Sequence, residues 1–358
     1  MVVCYRGGDG NRAVTIVWQI FAQVVTFIDD ILNYNSLSIV GLQKNTGKTE
    51  CLKYVLARLP LDRKRVAVTS IGIDGETTDQ VTRTQKPEIV LREGMYFGTS
   101  EAHYRQRRLV SELIDVSDES TSLGRVVTAR ALTQGKILLS GPSSTSGLQR
   151  WMRDVRRQGI DLAIVDGALS RLSLASPAVS QSMILATGAA YSINMSQLIQ
   201  HTAFIVDLIN IGVTNERNTT LLSPLDKGVW WIDIDGELHE MEAVTSLSQQ
   251  VQFHGMERCS TIYVAGALVD SFLEKVRKNK SLKNVELVVR DFTKIFVSPQ
   301  QLRLFEKNGG NIKVLQKSKL IAVTVNPTSP SGYVLDSEML CDKLSQAINL
   351  PVYDLLKS

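Results

Sequence analysis

A doubly wound α/β fold with a mostly parallel sheet, joined to a second, smaller α/β domain, is what this sequence predicts. Three observations predict it. Short continuous apolar runs, such as those in residues 36–40, 65–71 and 161–165, read as strands buried on both faces. Stretches of helical spacing separate them, so β and α elements alternate. The apolar runs end in loops of Gly, Ser and acidic residues, and the carboxyl ends of strands are where open α/β sheets hold ligands.

Composition bounds the alternatives. A chain of 358 residues that is 44% hydrophobic and 21% charged is long enough for two ordinary globular domains. We expect a leader and amphipathic helix in 1–35, a first domain over 36–214 and a C-terminal α/β domain over 227–358, with a polar linker at 215–226. A formal charge of +4 is a small excess for this length, so no nucleic-acid and no membrane partner is expected. Cys4, Cys51, Cys259 and Cys341 lie far apart without a Cys-x-x-Cys pair. That usage fits a reducing compartment, and a cytoplasmic location is expected.

Residues 13–28 are mostly apolar, but Gln19 and Gln23 interrupt them and the run is shorter than the roughly 20 residues of a membrane span. No small-residue cleavage site follows, as a signal peptide would need. Val17, Ile20, Phe21, Val24, Val25, Ile28, Ile31 and Leu32 recur at helical spacing, so an amphipathic helix beside the first strand is expected.

Ile39 and Val40 lead into Gly41-Leu42-Gln43-Lys44-Asn45-Thr46-Gly47-Lys48-Thr49, which opens a helix over 49–59. Strand, Gly-containing turn and helix in that order form a phosphate-binding loop. Backbone N–H groups in the turn and the positive end of the helix surround an anion. Lys48 would place a point charge by the β and γ phosphates, and Thr49 would offer its hydroxyl to Mg²⁺. Gly41, Lys44, Asn45, Thr46, Gly47, Lys48 and Thr49 are the candidate nucleotide-binding residues. Five residues rather than four separate Gly41 from Gly47, and Leu42 stands where the strict motif has glycine.

That longer loop resembles the loops of dethiobiotin synthetase and the cobyrinic acid amidotransferases. They belong to a branch of P-loop NTPases that includes the nitrogenase iron protein and the septum-site ATPases. Those ATPases carry an extra lysine early in the loop that reaches a dimer partner's nucleotide. This chain has Gln43 there and Lys44 one residue later, which leaves a reach across a homodimer open.

Further along, residues 65–71 read as a strand ending in Gly72-Ile73-Asp74-Gly75-Glu76. Asp74 is a candidate for a Mg²⁺ or water contact, with Glu76 weaker; an ordinary Asp-Gly turn explains them equally well. Residues 88–91 and 96–99 flank Arg92-Glu93-Gly94 as a hairpin would. A helix is expected over 101–114, strands over 126–131 and 136–139, a small-residue loop at 140–144, and a helix over 147–158. In 161–168 an apolar run meets Asp166-Gly167-Ala168, the pattern of a Walker B strand whose carboxylate holds Mg²⁺. Lys48 and Asp166 are thus the candidate catalytic residues, and Thr49, Asp74 and Asp166 the candidate metal ligands. Arg171 follows closely enough to meet a phosphate, or it is a surface or capping arginine. An apolar helix over 178–187 and another helix over 195–211 complete the first domain.

The second domain reads as strands at 229–234, 261–265, 285–290, 295–297, 312–315 and 320–325. Helices are expected over 267–278, after Ser298-Pro299, and over 337–348. A small-residue loop, Asn326-Pro327-Thr328-Ser329-Pro330-Ser331-Gly332-Tyr333, follows the last of these strands, as a turn or as the lining of a substrate or partner site.

Taken together, Ser-Ile-Val-Gly-x-x-Lys-Asn-Thr-Gly-Lys-Thr (38–49), Thr-Ser-Ile-Gly-x-Asp-Gly-Glu (69–76), Val-Asp-Gly-Ala-x-x-Arg-x-Ser-x-Ala-Ser-Pro (165–177) and Ile-Leu-Ala-Thr-Gly-Ala (184–189) resemble the P-loop subunit associated with the clostridial lysine 5,6-aminomutase system. The resemblance spans roughly residues 36–211. It implies an ATP-dependent, Mg²⁺-dependent accessory protein that reactivates an adenosylcobalamin-dependent aminomutase. No Asp-x-His-x-x-Gly motif occurs among the four histidines, so any cobalamin role would be exerted on a partner. The dethiobiotin synthetase likeness implies an alternative, a synthetase in which ATP activates a carboxylate, with Lys44, Ser143 and Arg171 as substrate candidates. A scaffold with a vestigial nucleotide fold is the third reading, against which Lys48, Thr49 and Asp166 speak.

Overall fold

A computed structural model of the chain describes residues 27–71, 87–168, 176, 179–241, 253 and 255–357. The chain is mixed α/β and divides into two compact units, residues up to 37 with 49–166, and residues 38–48 with 167–358. The chain passes between them within strand β1 (Ser36–Gly41), at the start of helix α1 (Lys48–Arg58) and at the end of β8 (Leu162–Ala168).

In the first unit β2 (Val66–Ser70) pairs in parallel with β8 on one side and with β4 (Tyr96–Ser100) on the other. All five residues of β2 are buried, which explains its unbroken apolar and β-branched sequence. On β4 the sheet turns antiparallel: β6 (Gly124–Ala131) pairs with β4, and β5 (Ser111–Thr121) with β6. Helix α3 (Thr145–Arg157) packs on this unit through Leu148, Trp151 and Val155, a helical face. Trp151 Nε1 donates to Thr128 Oγ1 at 3.0 Å. A Cβ on Gly98 would stand 2.8 Å from the Trp151 ring, so glycine on β4 is what admits the indole.

Two expectations in this unit are corrected. Residues 88–91 and 96–99 do not form a hairpin with one another: β3 (Ile89–Leu91) pairs with β7 (Gly135–Ile137), while β4 pairs with β2 and β6. The helix expected over 101–114 is short, α2 (Glu101–Arg105), and the chain then enters the 11-residue strand β5. The reason is the turn that follows. Leu123 N donates to Thr121 Oγ1 at 3.1 Å, Thr121 Oγ1 to Gly124 O at 2.7 Å, and Gly124 has φ +91°, so β5 and β6 close as a hairpin.

In the second unit β9 (Ser182–Gly188), β17 (Lys319–Asn326) and β18 (Val352–Tyr353) pair in parallel. Residues 182–188 are a strand, which corrects the apolar helix expected over 178–187. All seven residues of β9 are buried, and a continuous apolar run carries no period by which helix and strand differ. Helix α4 (Met195–Asn210) follows, capped by Asn194, whose side chain accepts from Gln197 N. Thr187 and Thr202 hydroxyls, 3.0 Å apart, tie it to β9.

After the short helix α5 (Glu216–Leu222), a separate sheet runs in the order β11 (Leu238–Glu240), β10 (Val229–Asp233), β12 (Cys259–Val264), β14 (Glu286–Val289), β16 (Asn311–Val314). Its last three strands are parallel. Helices α6 (Asp270–Lys278) and α7 (Pro299–Lys307) supply Phe272, Leu273, Val276, Leu302 and Phe305 to the unit's core. Between β12 and α7 lies the two-stranded pair of β13 (Leu268–Val269) and β15 (Ile295–Phe296). The segment 319–353, expected in the C-terminal domain, returns to pair β17 with β9, and α8 (Ser337–Ile348) joins β17 to β18. Among the described residues no helix is long and apolar enough to cross a membrane.

Candidate functional site

The Gly-Lys-Thr segment lies where β1 meets α1. Strand β1 is buried throughout, and α1 begins at Lys48, so residues 42–47 form a tight turn between a fixed strand end and a helix N-terminus. Thr46 is buried and donates its hydroxyl to Gln43 O at 2.9 Å. A Cβ on Gly41 would stand 2.7 Å from Thr46 Oγ1 and 3.2 Å from Gln43 O, so the turn folds back over this glycine. Asn45 and Gly47 take positive φ, +63° and +89°, the left-handed conformation that Asn and Gly adopt most readily.

Two neighbours fix the turn, and sequence reasoning placed neither in the loop's surroundings. Leu42 N donates to Ala186 O on β9 at 2.9 Å. The Leu42 side chain packs on the unit's apolar core, which accounts for leucine at a position where the strict motif has glycine. Asn326, at the end of β17, donates its Nδ2 to Asn45 O at 3.1 Å, and its Cβ would be 3.0 Å from a Cβ at Gly47. Asn326 O also accepts from Ala189 N at 2.9 Å, beyond the end of β9. Asn326 opens the small-residue loop read from sequence as a turn or a site lining. The available signal was a polar residue at the carboxyl end of an apolar strand.

Lys44 is exposed on the turn; Lys48 and Thr49 are half-buried as the first two residues of α1. Asp166 is half-buried near the carboxyl end of β8, in register with Ser70, and its carbonyl accepts from Ile71 N at 3.2 Å. Asp74, Glu76 and Arg171 lie outside the described residues. Ser143 is exposed, and its neighbour Ser144 caps α3.

The histidines separate into different roles. His103 lies on α2 as expected, but it is buried, with Nδ1 2.7 Å from Ser140 Oγ in the small-residue loop, and Ser140 Oγ is also 2.7 Å from Ser100 Oγ. With no exposed face, this group holds α2 and the loop together and offers no nucleophile to a substrate. His201 stacks on Tyr191, and burial pushes its pKa down. His239 stacks on Trp231, with Nε2 3.3 Å from Asp233 Oδ2. Backbone N–H groups of the turn, first that of Glu237, together with His239 hold the Asp233 carboxyl below its usual range. Cys51, Cys259 and Cys341 are free thiols.

No family model matches the chain, and no curated protein matches it. Among solved structures, that of pNOB8 ParA bound to nonspecific DNA aligns with 79% of this chain and 86% of that one at 11% identity, with a TM-score of 0.25. That likeness is too slight to bear on function.

Proposed function

We propose that the chain binds and hydrolyses ATP with Mg²⁺ and acts as an accessory protein to a partner enzyme. The observation that carries this reading is the turn between β1 and α1: Gly41 leaves no room for a side chain, and Asn45 and Gly47 are both left-handed just ahead of the helix N-terminus. Its N–H groups would receive the phosphates, with Gly41, Lys44, Asn45, Thr46, Gly47, Lys48 and Thr49 as the binding set and Lys48 balancing charge that develops on the γ-phosphoryl oxygens. A hydroxyl and a carboxylate are the oxygen donors a hard cation takes, so Thr49 and Asp166 suit Mg²⁺, which when bound neutralises phosphate charge. Asp74 is kept as a further ligand on its sequence position alone. Phosphoryl transfer by a positioned water needs little acid–base chemistry, in keeping with a loop that contains no histidine.

The partner we infer is an adenosylcobalamin-dependent aminomutase, on the sequence blocks that resemble its reactivating P-loop subunit. A homodimer that brings Lys44 to a neighbouring loop belongs to the same proposal. A net charge of +4 gives no reason to add a nucleic acid. Hydrolysis by the purified chain, measured alone and with such a mutase beside an Asp166→Asn control, tests both levels. The proposal expects stimulation by inactivated mutase that the control loses. Hydrolysis indifferent to the mutase would remove the partner and favour the alternative, a synthetase that activates a carboxylate.

A further inference from the structure

A cleft of about 630 Å³ opens in the second unit between α4, the turn that precedes it, and α7. No part of the nucleotide reading uses it. Its volume falls within the roughly 300–1,000 Å³ of small-molecule sites. Tyr191 and His201 form one wall, their rings stacked 4.2 Å apart at 11°. Phe204 adds apolar surface, and Arg303 of α7 faces them across the opening.

The polar groups here are available for a ligand. The side chains of Arg303 and Gln200 make no hydrogen bond or ion pair among the described residues, although Arg303 lies within electrostatic reach of Asp207. Ser192 Oγ donates to Gln197 Oε1 at 3.3 Å, which orients that carboxamide at the rim.

We propose that this cleft binds a small aromatic or heteroaromatic carboxylate, its ring extending the Tyr191–His201 stack and its carboxylate held by the Arg303 guanidinium. A third flat ring continues an existing stack without rearranging it. The guanidinium fork matches a carboxylate with two parallel N–H···O bonds. One cation, partly offset by Asp207 and beside an imidazole that burial keeps neutral, suits a monoanion better than a phosphate dianion. The cleft stands close to the phosphate turn along the chain: Tyr191 N donates to Gly188 O at the end of β9, and Ala189 N to the Asn326 that holds Asn45. Carboxylate binding nevertheless requires no nucleotide, so it stands or falls apart from the ATPase reading.

The test is saturation-transfer NMR and calorimetry on the full chain with benzoate, nicotinate and indole-3-acetate as probes, and with indole as the uncharged counterpart. The expected result is saturable binding of at least one acid with Kd of about 1 mM or tighter, weakened roughly tenfold or more in Arg303→Gln and several-fold in Tyr191→Leu, with indole binding weakly. Melting curves of the variants establish that they are folded, and Arg303→Lys, which keeps the charge but not the fork, should show an intermediate loss. No saturable binding by any of the acids, or affinity unchanged in folded Arg303→Gln, would overturn the assignment. AMP is tested in a Lys48→Ala background; if it bound more tightly than every acid, the ligand would be a phosphate and the carboxylate class would be wrong.

Discussion

Replacing Gly47 by alanine asks two things of the loop at once, and a second glycine separates them. Gly47 has φ +89°, which costs an alanine about 1–2 kcal/mol, and the new Cβ would sit 3.0 Å from Asn326 Cβ. Asn326 must then shift, and the 3.1 Å bond from its Nδ2 to Asn45 O is the interaction at risk, a further loss of about 0.5–1.5 kcal/mol. Gly94 has nearly the same φ, +84°, but nothing within 4 Å of an added Cβ. Gly94→Ala therefore reports the backbone term alone. At about 2–4 °C per kcal/mol for units of this size, Gly47→Ala should melt about 1–6 °C below Gly94→Ala by circular dichroism. Displacing one loop N–H from a phosphate, a charge-assisted bond of about 1.5–3 kcal/mol, should also weaken Mg·ATP binding roughly 10- to 100-fold, whereas Gly94→Ala binds normally. Equal melting of the two variants, together with wild-type ATP affinity in Gly47→Ala, would refute the tie between Asn326 and the turn.

Three further predictions concern the rest of the molecule. Phe272 is fully buried in the second unit's core, so Phe272→Ala should cost about 3–5 kcal/mol, read as a lower denaturation midpoint. Burial depresses the His201 pKa below its ordinary 6.5, so the unfolded chain takes the proton more readily; its contribution is intact above pH 6.5 and is lost as pH falls below it. The acid-side slope of the melting temperature against pH should accordingly flatten in His201→Gln. Burial pushes the Cys259 thiol up to about 12, so at pH 8 iodoacetamide should modify it far more slowly in the native protein than in denaturant, followed by peptide mass spectrometry.

How much was legible in the sequence depends on the kind of signal. The turn at Gly41–Thr49 was readable because glycine, asparagine and the helix that follows constrain the backbone locally, and the structure has the left-handed residues such a turn needs. Strands β2, β8 and β17 were readable from continuous apolar runs closed by polar residues. Strand β9 was not, because a segment buried on every side has no polar face to set its period. Strand β5 was missed for the opposite reason: Glu112, Asp115 and Glu119 give it the charge density of a solvated helix, and only the Thr121–Gly124 turn and pairing with β6 decide the matter. The contact of Asn326 with Asn45 joins residues 281 positions apart, and no local pattern encodes such a pairing. The Tyr191–Arg303 cleft was invisible likewise, since strands β10 to β15 and two helices separate α4 from α7 in sequence.

Whether the turn from Gly41 to Thr49 cradles phosphate is decided by equilibrium binding of radiolabelled ATP with Mg²⁺ to the wild-type chain and to Lys48→Ala. The expected result is one saturable site in the wild type, and in a folded Lys48→Ala variant affinity or turnover reduced by about 10²–10³-fold. Absence of saturable binding in the wild type, or undiminished binding and turnover in the variant, would contradict it.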